Sequence, residues 1–507
     1  MSRPVDSRWA GILAELERRR AFARGMGGAA RLERQRKAGK LDARARAGAL
    51  FDDGTFVEIG AFAGSRSEAS EAPAPADGLV AGFGLVDGRP VLAGIEDVTV
   101  LGGSIGDRGA DKRYRLTQLA AQERVPLVFM LEGAGHRLTN EHAGRRPNDL
   151  QGLAELSGLV PVVCLVTGAS AGHGALTAPL SDFVVMTESA SMFAAGPPIV
   201  KAAIGESVTK EELGGPQVHV VQSGVAHNLV AGDLDAIALA RRYLGYFPSN
   251  AWSAPPPGTG ADTGPRRLDD ILGLIDPDPR IAFRMTNVLT RLVDDGKLLE
   301  IQPRYGAALV TALAHLGGRS IAIVANDPAV NAGAVDAAAA DKAAHFLAVA
   351  NAFHLPVIFL TDNPGVMAGT AAEKAGTLRH AARMFVAQHR LQVPKLHVTL
   401  RKAFGFGSSI MGMNPFDRQT ISLAFPAIAL GSMPAASGAE AARLDEAARA
   451  RIAAGQADGA YHIADRLGYD DIIDPRDLRN ALLSGLALAA GRLPSHASPV
   501  HFTGIHP

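Results

Sequence analysis

Short apolar runs alternate with longer amphipathic stretches along most of this chain. The runs Pro90–Ile95 and Pro126–Leu131 have the length of buried strands, and Lys112–Glu123 between them has helical spacing. A further apolar run, Pro161–Val166, leads into the glycine-rich stretch Gly168–Gly174. Because strand-like and helical segments alternate, we predict an α/β fold of βαβ units in which helices cover the sheet.

The same pattern occurs twice, because residues 88–196 recur weakly but in register over residues 318–429. The second copy lies 230 positions after the first, as Asp111 and Asp341 show. Other pairs at this spacing are Gly88 and Gly318, Arg89 and Arg319, Asp97 and Asp327, Val100 and Val330, Gly103 and Gly333, Lys112 and Lys342, Pro126 and Pro356, Phe129 and Phe359, and Gly135 and Gly365. Repeat arrays have units of only about 20–50 residues, so this period indicates two copies of a whole domain.

Composition marks the boundaries of the two copies. Residues 1–50 are rich in Arg and Lys and predict an arm of one or two basic helices, solvated and packed on the body or on another subunit. The segment 253–267 is rich in Pro and Gly and predicts a linker. We therefore expect a first domain over residues 51–252 and a second over residues 268–507.

Bulk composition excludes several classes of protein. The 51 basic and 51 acidic residues balance, which does not indicate a general polyanion binder. The single cysteine, Cys164, excludes an internal disulfide and a zinc site of several thiolates, and its apolar surroundings indicate a buried position. No apolar signal segment follows Met1 and no apolar run reaches about 18 residues. We expect a soluble cytoplasmic protein that holds no metal.

One motif suggests a hydrolase. Residues 168–172 read GASAG, a G-x-S-x-G pattern after a predicted strand, which is the context of a nucleophilic serine. The second copy reads RKAFG over residues 401–405, at the equivalent place, and has no serine there. The copies therefore share a strand that leads into glycine rather than a nucleophile. We interpret Ser170 as a turn or helix-start residue.

Each copy has two predicted strand ends that lead into glycine. They are residues 132–135 and 172–174 in the first copy, and residues 363–365 and 405–407 in the second. Glycine lets the backbone approach a ligand closely, and a helix that begins there leaves N–H groups unpaired. Such N–H groups stabilise a developing oxyanion, so two copies supply two cradles for a reaction with an oxyanion on each reactant. The alternative is that the glycines only form tight turns.

Several blocks of this sequence resemble the carboxyltransferase (β) subunits of biotin-dependent acyl-CoA carboxylases, in particular the propionyl-CoA and methylcrotonyl-CoA types. The matching blocks are residues 41–46 (LDARAR), 51–58 (FDDGTFVE), 77–84 (DGLVAGFG), 97–104, 192–227, 364–370, 379–380 and 394–403. The block over residues 192–227 is the most specific of them, and the resemblance covers nearly the whole chain.

This resemblance implies two tandem crotonase-like (ClpP/crotonase) α/β domains of the ββα-superhelix type. It implies that acyl-CoA binds the first domain of one subunit and carboxybiotin binds the second domain of its neighbour, within a hexamer. Carbon dioxide from carboxybiotin then passes to the enolate of the acyl-CoA. Backbone N–H groups hold the thioester oxygen and the biotin ureido oxygen, so no side chain has to attack.

The resemblance also assigns residues to the two sites. Gly172 and His173 would hold the enolate oxygen, and Phe406 and Gly407 would hold the ureido oxygen. The acyl-CoA would contact Ala134, Gly135, His136, Gly174, Gly196, Pro197 and Ser409, whereas biotin would contact Gly365, Gly369, Thr370 and Gly405.

Biotin has to arrive on a separate carrier, because residues 410–413 (IMGM) lack the lysine of a biotinylation motif. A separate biotin carboxylase subunit has to charge that carrier, since the sequence shows no ATP-binding domain.

Some positions depart from the family pattern. His173 replaces the second glycine of a Gly-Gly pair, and Ser408-Ser409 replaces a Tyr-Asp pair. Residues 133–137 read GAGHR instead of SGGAR. His136 and His173 are therefore either substrate contacts or local packing and turn residues. The alternatives to a carboxylase subunit are a biotin-linked acyl-CoA decarboxylase, a non-catalytic scaffold subunit that pairs with an active homologue, and an esterase.

Overall fold

The computed structural model describes residues 7–64, 74–137, 148–492, 498–500 and 505. The chain divides into two compact units, one that ends at Gly245 and one that begins at Tyr246. Each unit contains a mixed β-sheet together with helices. No helix in the described ranges is both long and apolar enough to cross a membrane.

The first unit begins with three helices and continues as alternating strands and helices. Its helices are α1 (Ser7–Arg24), α2 (Ala29–Lys37), α3 (Ala43–Leu50), α4 (Asp107–Glu123), α5 (Asp149–Leu156), α6 (Pro197–Ile204), α7 (Lys210–Gly214) and α8 (Asp233–Tyr246). Its strands are β1 (Val57–Ile59), β2 (Leu79–Val86), β3 (Arg89–Glu96), β4 (Leu127–Leu131), β5 (Val162–Val166), β6 (Ala169–Ala171), β7 (Phe183–Thr187), β8 (Ser191–Phe193) and β9 (Asn228–Val230). Over its described residues, 7–50, the basic arm thus contains three helices, where the sequence predicted one or two.

Seven strands of the first unit form one sheet in the order β1-β2-β3-β4-β5-β7-β9. The first three strands are antiparallel, and those from β3 onward are parallel. The remaining two strands, β6 and β8, pair in parallel as a small separate sheet. Buried side chains such as Leu116 of α4, Phe129 of β4 and Cys164 of β5 belong to one apolar cluster. The predicted burial of Cys164 is confirmed.

The second unit repeats this arrangement. Its helices are α9 (Ile271–Leu274), α10 (Met285–Leu292), α11 (Ala337–Ala352), α12 (Thr370–Lys374), α13 (Thr377–His389), α14 (Gly405–Ile410), α15 (Ala435–Ala441), α16 (Glu446–Ala457), α17 (Gly459–Ala464) and α18 (Leu478–Leu488). Its strands are β10 (Leu298–Ile301), β11 (Leu309–Leu316), β12 (Arg319–Asn326), β13 (Val357–Asn363), β14 (Lys395–Phe404), β15 (Gln419–Ala424), β16 (Ala429–Gly431) and β17 (Asp471–Ile472). They pair in the order β10-β11-β12-β13-β14-β15-β17, and β16 pairs with the end of β14.

The repeat is visible residue by residue in the strands. The β2–β3 hairpin and the β11–β12 hairpin have the same bounds after a shift of 230 positions, as Leu79 and Leu309 show. In both hairpins the two turn residues have positive φ, which two-residue turns of this kind require. An isolated parallel bridge joins Ile105 to His136 in the first unit, and its equivalent joins Val335 to Val366 in the second.

A buried lysine occupies the same position in both units. The Nζ of Lys112 donates to the carbonyls of Ala76 and Leu79, and the Nζ of Lys342 donates to those of Gln302 and Tyr305. Burial lowers the pKa of Lys112 to about 8 and that of Lys342 to about 7. The lysine of the repeated Ala-Asp-Lys motif therefore binds the segment that leads into each hairpin, rather than a ligand.

The proline-rich segment between the two repeats packs on the second unit. Residues 247–270 are all described and contain no helix or strand. The Gly258 N–H donates to the Gly318 carbonyl at 2.8 Å, and His354 Nε2 lies 2.7 Å from the Ala251 carbonyl. The segment predicted as a linker thus makes direct contacts with the β11–β12 turn.

Candidate functional site

In the first unit, two glycine loops lie directly against each other. The first follows β4, and the second follows β6 at Gly172. Gly135 has φ +80°, and a Cβ at that position would lie 2.8 Å from the Ala171 carbonyl oxygen. Gly172 has φ +58°, which also favours glycine. A side chain at Gly135 would therefore push the two loops apart.

Hydrogen bonds identify which N–H groups of these loops are available to a ligand. The Gly172 N–H donates to the Phe193 carbonyl at 3.0 Å, and the Ala134 N–H donates to the Gly102 carbonyl at 3.2 Å. The N–H groups of His173 and Gly174 have no acceptor among the described residues. Of the two predicted donors, Gly172 thus has its N–H already bonded within the protein, whereas the N–H of His173 and that of the next residue, Gly174, are not bonded to any described residue.

The second unit has the equivalent pair of loops. β14 ends at Phe404 and α14 begins at Gly405, which has φ +54°, while Gly365 after β13 has φ +126°. A Cβ on Gly407 would lie 2.5 Å from Asn363 Oδ1 and 2.6 Å from Gly365 Cα. The N–H groups of Phe406 and Gly407 lie in the first turn of α14, where no intrahelical carbonyl is in position to accept. The structure thus places the predicted donors of the second unit at the start of a helix.

Further predicted contact residues lie in, or directly before, the helices α6, α12 and α14. Gly196 and Pro197 lie at the start of α6, just after β8. The Phe193 carbonyl of β8 accepts from the Gly172 N–H, so both residues lie beside the turn of residues 172–174, which we call the first cradle. Ser409 lies in α14, half-buried, and its carbonyl accepts from Asn414 Nδ2. Gly369 and Thr370 begin α12, and both are exposed. In the described part of the chain, no hydrogen bond connects Gly369 or Thr370 to the turn that contains Phe406.

A buried chain of charges lies behind the first cradle. His173 Nε2 lies 2.5 Å from Asp149 Oδ1, and Arg113 Nε donates to the other oxygen of Asp149 at 2.6 Å. Arg113 also donates to Glu96 at 3.1 Å and to Thr177 Oγ1 at 2.6 Å. Burial raises the pKa of Glu96, whereas for Asp149 the opposing effects of Arg113 and His173 outweigh burial and hold its pKa well below its ordinary value.

The sequence pointed to His173 but not to the residues that hold it. Glu96, Arg113 and Asp149 come from β3, α4 and α5, and their spacing along the chain follows no motif. His136 lies next to the same chain, because its ring and that of His173 are 4.6 Å apart in an edge-to-face arrangement. Burial and the nearby His173 lower the pKa of His136.

The basic arm contributes to the same region. Glu132, at the end of β4, accepts from Arg46 at 2.6 Å, from Lys40 at 2.5 Å and from Gln35 at 3.0 Å. Arg46 also bonds Asp233 at 2.9 Å, and only 1% of its side chain is exposed. This part of the arm therefore packs on the first unit, with Arg46 buried beside Glu132.

The charges behind the second cradle are different. Asp362 lies near the end of β13 and pairs with Arg401 at 2.8 Å and Lys402 at 3.4 Å. Phe406 projects from the first turn of α14 with 40% of its surface exposed, and its ring lies 5.5 Å from that of Phe385. The second cradle therefore presents an aromatic surface where the first presents an imidazole.

The structure does not support a hydrolytic serine. Ser170 lies in the middle of β6, fully buried, and its hydroxyl has no hydrogen-bond partner among the described residues. No base is therefore positioned to activate it. The interpretation of Ser170 as a turn or helix-start residue is also wrong, since β6 pairs with β8 across this position. Within the described ranges, no group of three or more His, Cys, Asp or Glu side chains is arranged to hold a metal ion.

Comparison with known proteins identifies the family. The family model of the carboxyl transferase domain matches residues 34–499. The chain is 37% identical to the biotin-dependent acetyl-/propionyl-coenzyme A carboxylase beta5 subunit of Mycobacterium leprae, over 85% of this chain and 80% of that protein. It is 34% identical to the methylmalonyl-CoA decarboxylase subunit alpha of Veillonella parvula, over 94% of this chain and 95% of that protein.

A solved structure has the same fold over the whole length. It is the transcarboxylase 12S hexamer with methylmalonyl-coenzyme A and methylmalonic acid bound, with a TM-score of 0.91 and 32% identity over 99% of this chain and 100% of that one. The predicted pair of crotonase-like domains is confirmed by this likeness and by the two matching sheets. The chain belongs to the carboxyl transferase domain family, among the carboxyltransferase subunits of biotin-dependent acyl-CoA carboxylases.

Proposed function

We propose that this enzyme transfers a carboxyl group from carboxybiotin to the α-carbon (or vinylogous carbon) of an acyl-CoA, with one cradle for each reactant. The observation that carries the proposal is the pair of unsatisfied N–H groups in each unit, at His173 and Gly174 and at Phe406 and Gly407. The methylmalonyl-coenzyme A bound in the related transcarboxylase supports a CoA thioester as the acceptor.

The N–H groups of His173 and Gly174 are suited to the thioester oxygen of the acyl-CoA. Removal of the α-proton places negative charge on that oxygen, and each N–H donor directed at it contributes about 3–4 kcal/mol of stabilisation in the transition state. The buried chain from Glu96 to Asp149 holds the turn rigidly, since every member is bonded on both sides. This rigidity keeps the donors in place before the charge develops.

We propose that the second cradle binds a small, flat, oxygen-bearing group. Gly407 packs so closely on Gly365 that a Cβ at position 407 would collide with it, so this position has no side chain. Carboxybiotin supplies CO2 and leaves negative charge on its ureido oxygen, which the N–H groups of Phe406 and Gly407 would hold. We place Gly365, Gly405, Gly369 and Thr370 around the biotin.

Biotin and its charging enzyme are proposed as partners in trans. Residues 410–413 contain no lysine to carry biotin, so we infer a separate carrier and a biotin carboxylase subunit. The related transcarboxylase is a hexamer, and we propose a hexamer, of this chain alone or with a homologue, for this protein too. His136 and Ser409, at positions where this chain departs from its relatives, are the residues we propose to shape the choice of acyl group.

Two alternatives are less supported. Decarboxylation of a carboxylated acyl-CoA would use the same two cradles in reverse, and the relative from Veillonella parvula has that activity in its name. A non-catalytic scaffold would not need unsatisfied N–H groups in both units, which the structure retains.

Transfer assays with the purified protein test the proposal. The protein is incubated with free carboxybiotin labelled in its carboxyl group and with a panel of acyl-CoA esters, and labelled carboxyacyl-CoA is measured. Label in any carboxyacyl-CoA supports carboxyl transfer. A parallel incubation contains carboxyacyl-CoA labelled in its carboxyl group together with free biotin. Label that leaves the carboxyacyl-CoA for biotin or as CO2, without transfer in the forward direction, favours the decarboxylase. Intact hexamers without transfer in either direction favour the scaffold.

A further inference from the structure

The side chain of His173 is held in the way that general bases are held in enzymes. Its Nε2 lies 2.5 Å from Asp149 Oδ1, and 18% of the His173 side chain is exposed, compared with 1% for Asp149. The imidazole thus joins a buried carboxylate to the surface of the first cradle. In the carboxyl-transfer proposal this side chain only helps to hold the turn, because the oxyanion contact there is made by the backbone N–H.

The contact with Asp149 determines where the proton of a neutral His173 ring sits. An ionised carboxylate only accepts hydrogen bonds. The pKa of Asp149 is well below its ordinary value despite burial, because Arg113 and His173 are its partners, so Asp149 is ionised near neutral pH. The proton is therefore on Nε2, and Nδ1 carries the lone pair.

The bonds behind Asp149 prevent it from moving away. Arg113 occupies the second oxygen of Asp149, and Arg113 is itself fixed by Glu96 and Thr177. Glu96 in turn accepts from the Glu132 N–H at 2.8 Å, at the start of the other glycine loop. The imidazole orientation is thus set by five groups from separate parts of the first unit.

The two groups that the inference assigns to His173, the backbone N–H and Nδ1, belong to the same residue. The His173 N–H is one of the two donors available to the thioester oxygen, and Nδ1 is only a few covalent bonds away in the same residue. The α-carbon of an acyl-CoA is bonded to the carbonyl carbon whose oxygen this N–H would hold. His136, whose ring packs edge-to-face against His173, bounds the space on the other loop. Among the described residues, no hydrogen-bond partner occupies His173 Nδ1.

We propose that the His173–Asp149 pair is a general base and acid for the α-proton of the bound acyl-CoA. The α-C–H bond breaks as Nδ1 takes the proton, the electron pair moves onto the thioester oxygen held by the N–H groups, and Asp149 stabilises the imidazolium. Return of a proton from Nδ1 to the α-carbon restores the substrate. This inference rests on the proposed acyl-CoA site, but it adds an activity that needs no biotin: exchange of α-protons with solvent.

The test is hydrogen–deuterium exchange of propionyl-CoA in deuterated water without biotin, followed by mass spectrometry. We expect the wild-type protein to exchange the α-protons at least about a hundredfold faster than His173→Ala, which keeps the N–H and removes the imidazole. Added imidazole should restore much of the lost rate, an effect that a merely structural role would not produce. Ser170→Ala, at a buried serine outside the cradle, is the matched control.

Three results would overturn the inference. They are a wild-type rate equal to that of the buffer, a His173→Ala rate equal to that of wild type, and a loss that imidazole does not reverse. Asp149→Asn provides a second variant, whose expected loss is smaller because the ring remains. Binding of propionyl-CoA and transfer from carboxybiotin are measured on the same preparations. Transfer without exchange overturns this inference alone, whereas absence of any acyl-CoA binding overturns the proposed function with it.

Discussion

The two units share their backbone but not the side chains behind it. Gly172 and Gly174 in the first unit correspond to Gly405 and Gly407 in the second, and the first glycine of each turn has positive φ. Behind the turns, Glu132 of the first unit forms an ion pair with Arg46 of the basic arm. Its counterpart in the second unit, Asp362, pairs instead with Arg401 of β14. Backbone chemistry was therefore retained in both copies while the charged side chains diverged, which allows different reactants at the two cradles.

The histidine is part of this difference. Position 173 corresponds to Phe406, and the counterparts of Glu96 and Arg113 are Asn326 and Ala343. The second unit thus lacks the counterparts of Glu96, Arg113 and His173 rather than one of them. Each of the following predictions compares the units or separates the backbone contribution from that of the side chains.

The largest expected effect is on the stability of the first unit. Arg113→Met leaves the buried carboxylates of Glu96 and Asp149 without their shared partner. We expect a loss of about 3–5 kcal/mol in the free energy of unfolding, measured with denaturant. Arg280→Met, at an exposed ion pair of the second unit, should lie within experimental error of wild type. Equal losses in the two variants would contradict the structural role of the network.

Gly407→Pro tests the cradle of the second unit. Proline has no N–H and would also crowd Gly365, so we expect the carboxyl-transfer rate to fall about two to three orders of magnitude. The acyl-CoA affinity should fall much less than the transfer rate, because Ser409 is the one residue of the second unit that we place against that substrate. The equilibrium binding of acyl-CoA is measured beside the transfer rate, and parallel losses in both would contradict the division of labour between the units.

The two buried lysines should give the units different dependence on pH. Because the folded-state pKa values lie below the unfolded value of 10.5, the unfolded chain binds more protons and stability rises with pH above each folded pKa. For Lys342 this rise begins at about pH 7, and for Lys112 at about pH 8, with slopes of up to about 1.4 kcal/mol per pH unit.

Urea unfolding of Lys342→Met and Lys112→Met across pH 6.5 to 8.5, roughly, checks this expectation. Between pH 7 and 8 the slope should decrease in the Lys342 variant and stay near that of wild type in the Lys112 variant. Identical slopes in all three proteins would contradict it.

A smaller effect is expected at the acyl-group position. Ser409 is half-buried in α14, and its hydroxyl has no hydrogen-bond partner among the described residues. Ser409→Ile should change the ratio of kcat/KM between short and longer acyl-CoA esters by about tenfold, as expected when one apolar side chain alters a pocket. A uniform loss for every acyl-CoA would instead indicate damage to the α14 turn.

The smallest effect is expected for Ser170→Ala. The hydroxyl is buried without a partner, so its removal leaves no orphaned group behind. The transfer rate should stay within about twofold of wild type. A twofold change in rate corresponds to a change of about RT ln 2, below about 0.5 kcal/mol, in the activation free energy, which is the range of a neutral substitution. A loss of ester hydrolysis in this variant would revive the esterase alternative.

Patterns of local sequence were enough to predict much of the fold. The alternating apolar runs and the constant spacing of 230 positions correctly indicated two α/β domains, because strand length, turn glycines and apolar periodicity are properties of short segments. The glycine loops were also found in this way, since only glycine suits Gly135 and Gly172. The state of the Gly172 N–H could not be predicted in this way, because its bond to Phe193 joins segments that lie apart in sequence.

The sequence by itself determined that two related domains would each present a glycine turn, because those features depend on neighbouring residues. Only the tertiary structure decided that Glu96, Arg113, Asp149 and His173 form one buried chain, and that Arg46 of the arm reaches Glu132. The physical reason is that ion pairs form between groups brought together from different elements. Their energies depend on burial and distance, which no spacing along the chain encodes.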